Sequence, residues 1–189
     1  MGDGKFKDVI SRAKKMVEQK ASLITIGIQP TYPATGYGYI QYDVRKKTDV
    51  DGVYKVKTFA EKPGKVTAEK FVQSGEFLWN GGMFVWKAKI ILLEMKTFMP
   101  ELHQSLDSIY DALSTSQYET ALDREWELVQ PESIDYGILE KARNVYVIKA
   151  DFKWNDLGSW KSLFSVLTKN KDQNYYEGDV ISLQSKNNL

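Results

Sequence analysis

Apolar positions along the chain alternate between helical and strand spacing, and that alternation predicts an α/β fold. Between Lys5 and Lys20, the residues Phe6, Val9, Ile10, Ala13, Met16 and Val17 recur every three or four positions, with Lys and Glu on the other face. This spacing predicts an amphipathic helix laid on a sheet. Leu23 to Ile28 follows as a continuous apolar run of strand length. Tyr39 to Arg45 and Val53 to Phe59 then read as two antiparallel strands joined by a polar connection ending Asp51-Gly52. Ala68 to Ser74 predicts a short helix closed by Gly75 in a left-handed cap. Phe77 to Trp86 has the aromatic and β-branched composition of a strand, with an Asn80-Gly81-Gly82 break at its middle.

From Ala88 to Val129 the pattern is helical. Leu102, Leu106, Ile109, Tyr110 and Leu113 form one stripe, Pro100 suits a first helical turn, and Tyr118 to Leu128 predicts a further helix. Pro131 to Tyr136 reads as a fresh helix start capped by Ser133, with Asp135 in its first turn. Val145 to Ile148 is a buried strand. Gly158 and Ser159 then start a helix whose Trp160, Leu163, Phe164 and Leu167 form an apolar stripe facing a core. The polar, Asn-rich tail holds one possible strand near Gly178 to Leu183. The expected organisation is one α/β domain over residues 1–168, with 169–189 a linker or the start of a further domain.

Charge and composition narrow the function. The 189 residues carry a formal net charge of +1, which offers no basic field for gripping nucleic acid. No apolar run is long enough to span a bilayer, and the polar N-terminus shows no secretory signal, so a cytoplasmic location is expected. Cysteine is absent and His103 is the one histidine, placed in a helical pattern that favours a structural role. Any metal would therefore be held by oxygen ligands, which favours a hard cation such as Mg²⁺.

Five places carry candidate chemistry, each with a plainer alternative. Asp156 stands where a strand ends and a helix begins, the edge at which open α/β sheets bind ligands; capping and packing explain it equally well. Glu61-Lys62, stopped by Pro63-Gly64, sets a carboxylate and an ammonium side by side at a strand end, able to serve hydroxyls and phosphate respectively, or simply to be solvated. Asn80 offers a donor and an acceptor beside two glycines, as a ligand group or as a turn residue. Gly36 and Gly38 let backbone approach a ligand or merely turn. Asp135 also reads as dipole compensation.

Taken in order, Gly27-Ile28-Gln29-Pro30-Thr31, Thr35-Gly36-Tyr37-Gly38-Tyr39-Ile40, Phe59-Ala60-Glu61-Lys62-Pro63, Trp79-Asn80-Gly81-Gly82-Met83-Phe84, Ser133-Ile134-Asp135-Tyr136 and Trp154-Asn155-Asp156-Leu157-Gly158-Ser159-Trp160 resemble the mannose-1-phosphate guanylyltransferase family. That family belongs to the sugar-phosphate nucleotidyltransferases. The resemblance implies a Rossmann-like, mixed-sheet α/β fold and Mg²⁺-dependent transfer from GTP to mannose 1-phosphate, giving GDP-mannose and pyrophosphate. It assigns Glu61 to the sugar hydroxyls and Lys62 to the sugar phosphate. Asn80 and the backbone near Gly38 would hold the sugar from the other side, Asp135 matches a motif position, and Asp156 would be a carboxylate ligand of Mg²⁺. On this resemblance Lys62 and Asp156 are the catalytic candidates.

The family's glycine-rich nucleotide loop and a second metal-binding Asp have no counterpart in this sequence. The expectation is thus a partial fold with the N-terminal nucleotide-binding half absent, inactive alone. Exposed sheet edges left by the missing half would favour a homo-oligomer. Another sugar-1-phosphate nucleotidyltransferase, or a non-catalytic sugar-phosphate-binding module, are the competing readings.

Overall fold

The protein is described by a computed structural model over residues 3–167 and 169–189. The chain forms two compact units, Met1–Phe152 and Lys153–Leu189.

In the first unit five strands, β1 (Leu23–Ile28), β2 (Tyr39–Lys47), β3 (Val53–Ala60), β4 (Phe77–Val85) and β5 (Val145–Ala150), close on themselves in the order β1-β4-β2-β3-β5. The sheet is mixed: β1 pairs parallel with β5, and every other pairing is antiparallel. Closure comes from β3 against β5, where Val53, Tyr54 and Lys55 face Ile148, Val147 and Tyr146. Among the described strands this order leaves no open edge, so the edge pairing from which a homo-oligomer was expected is already used within the chain.

Side-chain alternation sorts the strands into two faces. Ile40, Tyr42, Leu78 and Val147 pack together on the inner face with Tyr54, Val56 and Phe59. The helix α1 (Asp3–Gln19) packs against the sheet's β1, β3, β4 and β5 strands and buries Val9, Ala13, Met16 and Val17, as its 3.6-residue spacing predicts. A second cluster joins Leu23 and Val145 to Ile91 of α3 (Ala88–Phe98) and to Ile138 and Leu139. Burial of these aliphatic side chains, each worth about 1.5–3 kcal/mol, holds the layers together.

Local signals were realised closely at several ends. Gly75 closes α2 (Lys65–Ser74) at φ 69°, with its N–H donating to the Val72 carbonyl, and Gly52 turns the β2–β3 connection at φ 72°. Pro100 opens α4 (Pro100–Ala112), and α5 (Tyr118–Leu128) follows.

Four expectations are corrected. The Asn80-Gly81-Gly82 step does not break β4; it forms a bulge, because the register opposite β1 skips from Phe84↔Thr25 to Asn80↔Gly27. The α4 stripe is not core: Leu106, Tyr110 and Leu113 are exposed, and the buried residue of that helix is Ser105. In the second unit no residue of α6 (Trp160–Val166) is buried and Trp160 is 79% exposed, so its apolar stripe faces no core within that unit. Residues 178–183 form no strand. His103 is tied to Asp107 one turn later, at 3.1 Å, a partner the sequence reading passed over. No helix of the described residues is long and apolar enough to cross a membrane.

The closest packing point of the sheet is Gly27. A Cβ built there would stand 2.5 Å from Leu78 Cδ1 and 2.6 Å from Val147 Cγ2, atoms of two different strands. Gly27→Ala is expected to cost about 1–3 kcal/mol in urea denaturation through overpacking. Gly36→Ala, where a Cβ meets open space, is expected to stay within about 0.5 kcal/mol of the parent.

Candidate functional site

Asn80 is the centre of the site, and the β4 bulge puts it there. Leu78 and Asn80 share one face of β4, so the same alternation that packs Leu78 inward points the Asn80 amide toward β1. Its carbonyl oxygen accepts from the buried Thr25 hydroxyl at 2.9 Å and from the Gly82 N–H at 3.2 Å. Its amide nitrogen donates to Asp135 Oδ1 at 2.7 Å, and its backbone N–H donates to the Gly38 carbonyl at 2.8 Å. One side-chain N–H of Asn80 remains for a ligand.

Glu61 and Lys62 leave the end of β3, opposite the start of β2. Lys62 adopts φ 45°, a left-handed conformation costly for a side-chain-bearing residue and typical of positions held by their surroundings. Its ammonium lies 3.4 Å from Glu61 Oε1. Glu61 is largely covered, at 16% side-chain exposure, whereas Lys62 is 65% exposed and free to reach an anion. A Cβ on Gly38 would collide with the Glu61 carboxylate and press on Asn80. Gly38 therefore earns its place by letting the Glu61 carboxylate and the Asn80 backbone converge, not by an unusual φ.

Asp135 is delivered by a π turn, Asp135–Leu139, in which the Glu140 N–H donates to the Asp135 carbonyl at 2.9 Å. Ser133 does contribute, accepting from the Tyr136 N–H at 3.4 Å, although the helix it was expected to start is this short turn. Burial pushes the Asp135 carboxyl above its usual range, and the Asn80 amide and the Lys62 ammonium pull it partly back. Glu140 is raised as well, by partial burial and by the nearby Glu61 and Asp135 charges, with Lys141 opposing. Glu140 is the site residue that sequence reasoning missed. It becomes a neighbour of Asp135 and Glu61 only through a π turn, which a 3.6-residue pattern does not announce.

Gly38, Glu61, Lys62, Asn80 and Asp135 are thus brought together in the first unit. The carboxylates of Glu61 and Asp135 and the Lys62 ammonium lie with an oriented amide: hydrogen-bond acceptors for hydroxyl groups beside a cation for an anionic group. Among the described residues no three His, Cys, Asp or Glu side chains are grouped so as to hold a metal.

Asp156 belongs to the second unit, on the loop that precedes α6. The Asn155 side-chain carbonyl accepts from the Leu157 N–H at 2.8 Å, Leu157 takes φ 51°, and Ser159 caps the helix by accepting from the Ser162 N–H at 3.1 Å. Ser159, not Asp156, is therefore the cap that satisfies this helix N-terminus. A Cβ on Gly158 would stand 2.8 Å from Asp156 Oδ2, so a side chain at position 158 would crowd the carboxylate.

Comparison with known proteins gives one family. The nucleotidyl transferase family model matches residues 1–173. The xanthan biosynthesis protein XanB of Xanthomonas campestris pv. campestris is 37% identical over 183 residues, covering 96% of this chain and 38% of that protein. Mannose-1-phosphate guanylyltransferase ManC of Salmonella typhimurium is 35% identical over 184 residues, again covering 96% of this chain and 38% of the relative. The chain therefore spans less than two fifths of the length of these curated relatives. Among solved structures, a Thermus thermophilus protein named mannose-1-phosphate geranyltransferase superposes with a TM-score of 0.74 at 27% identity, covering 91% of this chain and 48% of that one. A Helicobacter pylori protein named mannose-6-phosphate isomerase gives 0.67 at 25% identity, covering 81% of this chain and 59% of its own.

The raised Asp135 carboxyl has a stability consequence with a definite sign. Its proton affinity is higher folded than unfolded, so its contribution favours the folded state in acid and is lost as pH rises from the ordinary carboxyl range through the raised value. Measured by denaturant unfolding from about pH 4 to about pH 7, the parent is expected to lose stability relative to Asp135→Asn. A pH-independent difference between the two would contradict this.

Proposed function

The chain belongs to the nucleotidyl transferase family, and we propose that its site binds a sugar 1-phosphate, mannose 1-phosphate, as acceptor for guanylyl transfer from GTP. The observation that carries this reading is the convergence of Glu61, Lys62 and Asn80 around Gly38. Acceptor oxygens for sugar hydroxyls stand next to a mobile ammonium for the phosphate. In the proposed reaction a phosphate oxygen of the sugar phosphate attacks the α-phosphorus of GTP. The bond from that phosphorus to the bridging oxygen breaks, and pyrophosphate leaves with the electron pair. Such transfers depend on in-line positioning and charge neutralisation more than on covalent help.

Each residue then has a physical role. Glu61 accepts hydrogen bonds from sugar hydroxyls, and Asn80 donates its remaining N–H, its orientation fixed by Thr25 and Asp135. Asp135 acts on the sugar through Asn80, as a positioning residue. Lys62 pairs with the phosphate and lowers the cost of bringing two anions together. Asp156 supplies the hard oxygen donor that Mg²⁺ prefers, an ion that takes one or two carboxylates and fills its octahedron with phosphate oxygens and waters. When bound there, Mg²⁺ would neutralise charge on the phosphate oxygens.

Binding is the direct test for a chain of this length. Calorimetric titration is expected to show mannose 1-phosphate bound more tightly than glucose 1-phosphate, and Glu61→Ala or Lys62→Ala to weaken it about tenfold or more. Asp156→Ala is expected to abolish any Mg²⁺ dependence while sparing the contacts to sugar hydroxyls. A parent chain that binds neither sugar phosphate at millimolar concentration, or a Glu61→Ala variant that binds as the parent does, would overturn the proposal.

A further inference from the structure

A second concentration of charge lies on the other face of the sheet. Tyr146 is one residue from Val147, so alternation turns it away from the inner cluster and toward the C-terminal end of α1. Lys20 donates to the Tyr146 hydroxyl at 2.6 Å, with its ammonium 5.1 Å from the ring centroid. Lys55, paired with Tyr146 in the β3–β5 register, places its ammonium 4.5 Å from the same centroid and donates to the Arg143 carbonyl. Lys46 and Lys47, from the end of β2, complete a cleft of about 540 Å³ that also contains Asp49.

This arrangement is electrostatically unbalanced. A chain with net charge +1 gathers four ammonium groups here beside one carboxylate. Among the described residues none of Lys20, Lys46, Lys47 and Lys55 has a carboxylate within 4.0 Å. Burial pushes the Lys55 ammonium below its ordinary value; Tyr146 opposes this, and Lys20 and Lys46 add to it. Holding like charges together costs energy unless an anion sits among them.

We propose that this cleft, lined by Lys20, Lys46, Lys47 and Lys55, binds the diphosphate group of a small anion. Lysine supplies compact point charges suited to phosphate oxygens, and four lysines in one cleft suit the greater charge of two linked phosphates better than that of one. The Tyr146 ring is already engaged by two ammoniums, so recognition falls on charge and not on base stacking. Inorganic diphosphate and the diphosphate bridge of a nucleotide sugar present the same group. The cleft shares no residue with the sugar-phosphate site.

The test uses the 189-residue chain carrying Lys62→Ala, which removes the ammonium of the other site, at fixed ionic strength. Inorganic diphosphate, orthophosphate and GDP-mannose are titrated calorimetrically. Diphosphate is expected to bind at least about tenfold more tightly than orthophosphate. Lys20→Met with Lys55→Met, and separately Lys46→Gln with Lys47→Gln, are each expected to weaken it about tenfold or more. The second pair is exposed, so that variant keeps the fold. GDP-mannose binding that falls with the same substitutions identifies a bridging diphosphate as the ligand, and binding of the inorganic anion alone identifies the free species. Absence of diphosphate binding, equal binding of orthophosphate, or affinity unchanged by the Lys46→Gln, Lys47→Gln pair would overturn the proposal.

Discussion

The side-chain amide of Asn80 is the interaction on which the site depends, because it ties the π turn to the paired strands β1 and β4. Through it β1 (Thr25), β4 and the π turn (Asp135) share one hydrogen-bonded chain. Each partner is at least partly buried, and a buried polar group left without a partner costs about 1–3 kcal/mol. Satisfying Asn80 therefore fixes the amide's orientation as well as its position. A side chain whose donor and acceptor ends are both assigned presents a defined face to whatever binds. The glycine at position 38, lacking a side chain, leaves room for the Glu61 carboxylate beside it.

Two clusters of opposite sign occur in the first unit with no residue in common. On one side Glu61 and Asp135 lie with Lys62; burial raises the Asp135 carboxyl, and burial with the Glu61 and Asp135 charges raises Glu140. On the other, Lys20 and Lys55 share the Tyr146 ring. A near-neutral chain can thus carry two local fields, each able to select its own ligand chemistry, without the long-range attraction of a strongly charged protein.

Strand and helix placement was legible because most of it rests on local periodicity and on glycine. The α1 stripe, the runs of β1 and β5, and the left-handed cap at Gly75 all followed from residue type and spacing. The closing of the sheet was not legible, since the β3–β5 pairing joins residues about ninety positions apart and leaves no local mark. Asn80-Gly81-Gly82 misled for the opposite reason: it is a strong turn signal, overridden by strand neighbours on both sides that extract a bulge instead. The exposed stripes of α4 and α6 show that helical spacing marks an apolar face without saying that this chain covers it. Within the site, the motif residues Gly38, Glu61, Lys62, Asn80 and Asp135 were readable, whereas Glu140 depended on a backbone irregularity.

That irregularity gives the length of the segment around Asp135–Leu139 a meaning of its own. A π turn is an α-helix carrying one residue more than its hydrogen-bond ladder needs, and the surplus rotates everything downstream by roughly 100° about the helix axis. Removing Tyr136 or Gly137 would let the ladder relax to ordinary spacing and swing Glu140 away from its two acidic neighbours, with Asp135, Ile138, Leu139 and Glu140 themselves retained. Insertions and deletions there thus act as changes of chemistry, and homologues that differ by one residue in this short interval need not share the same acid at the same corner.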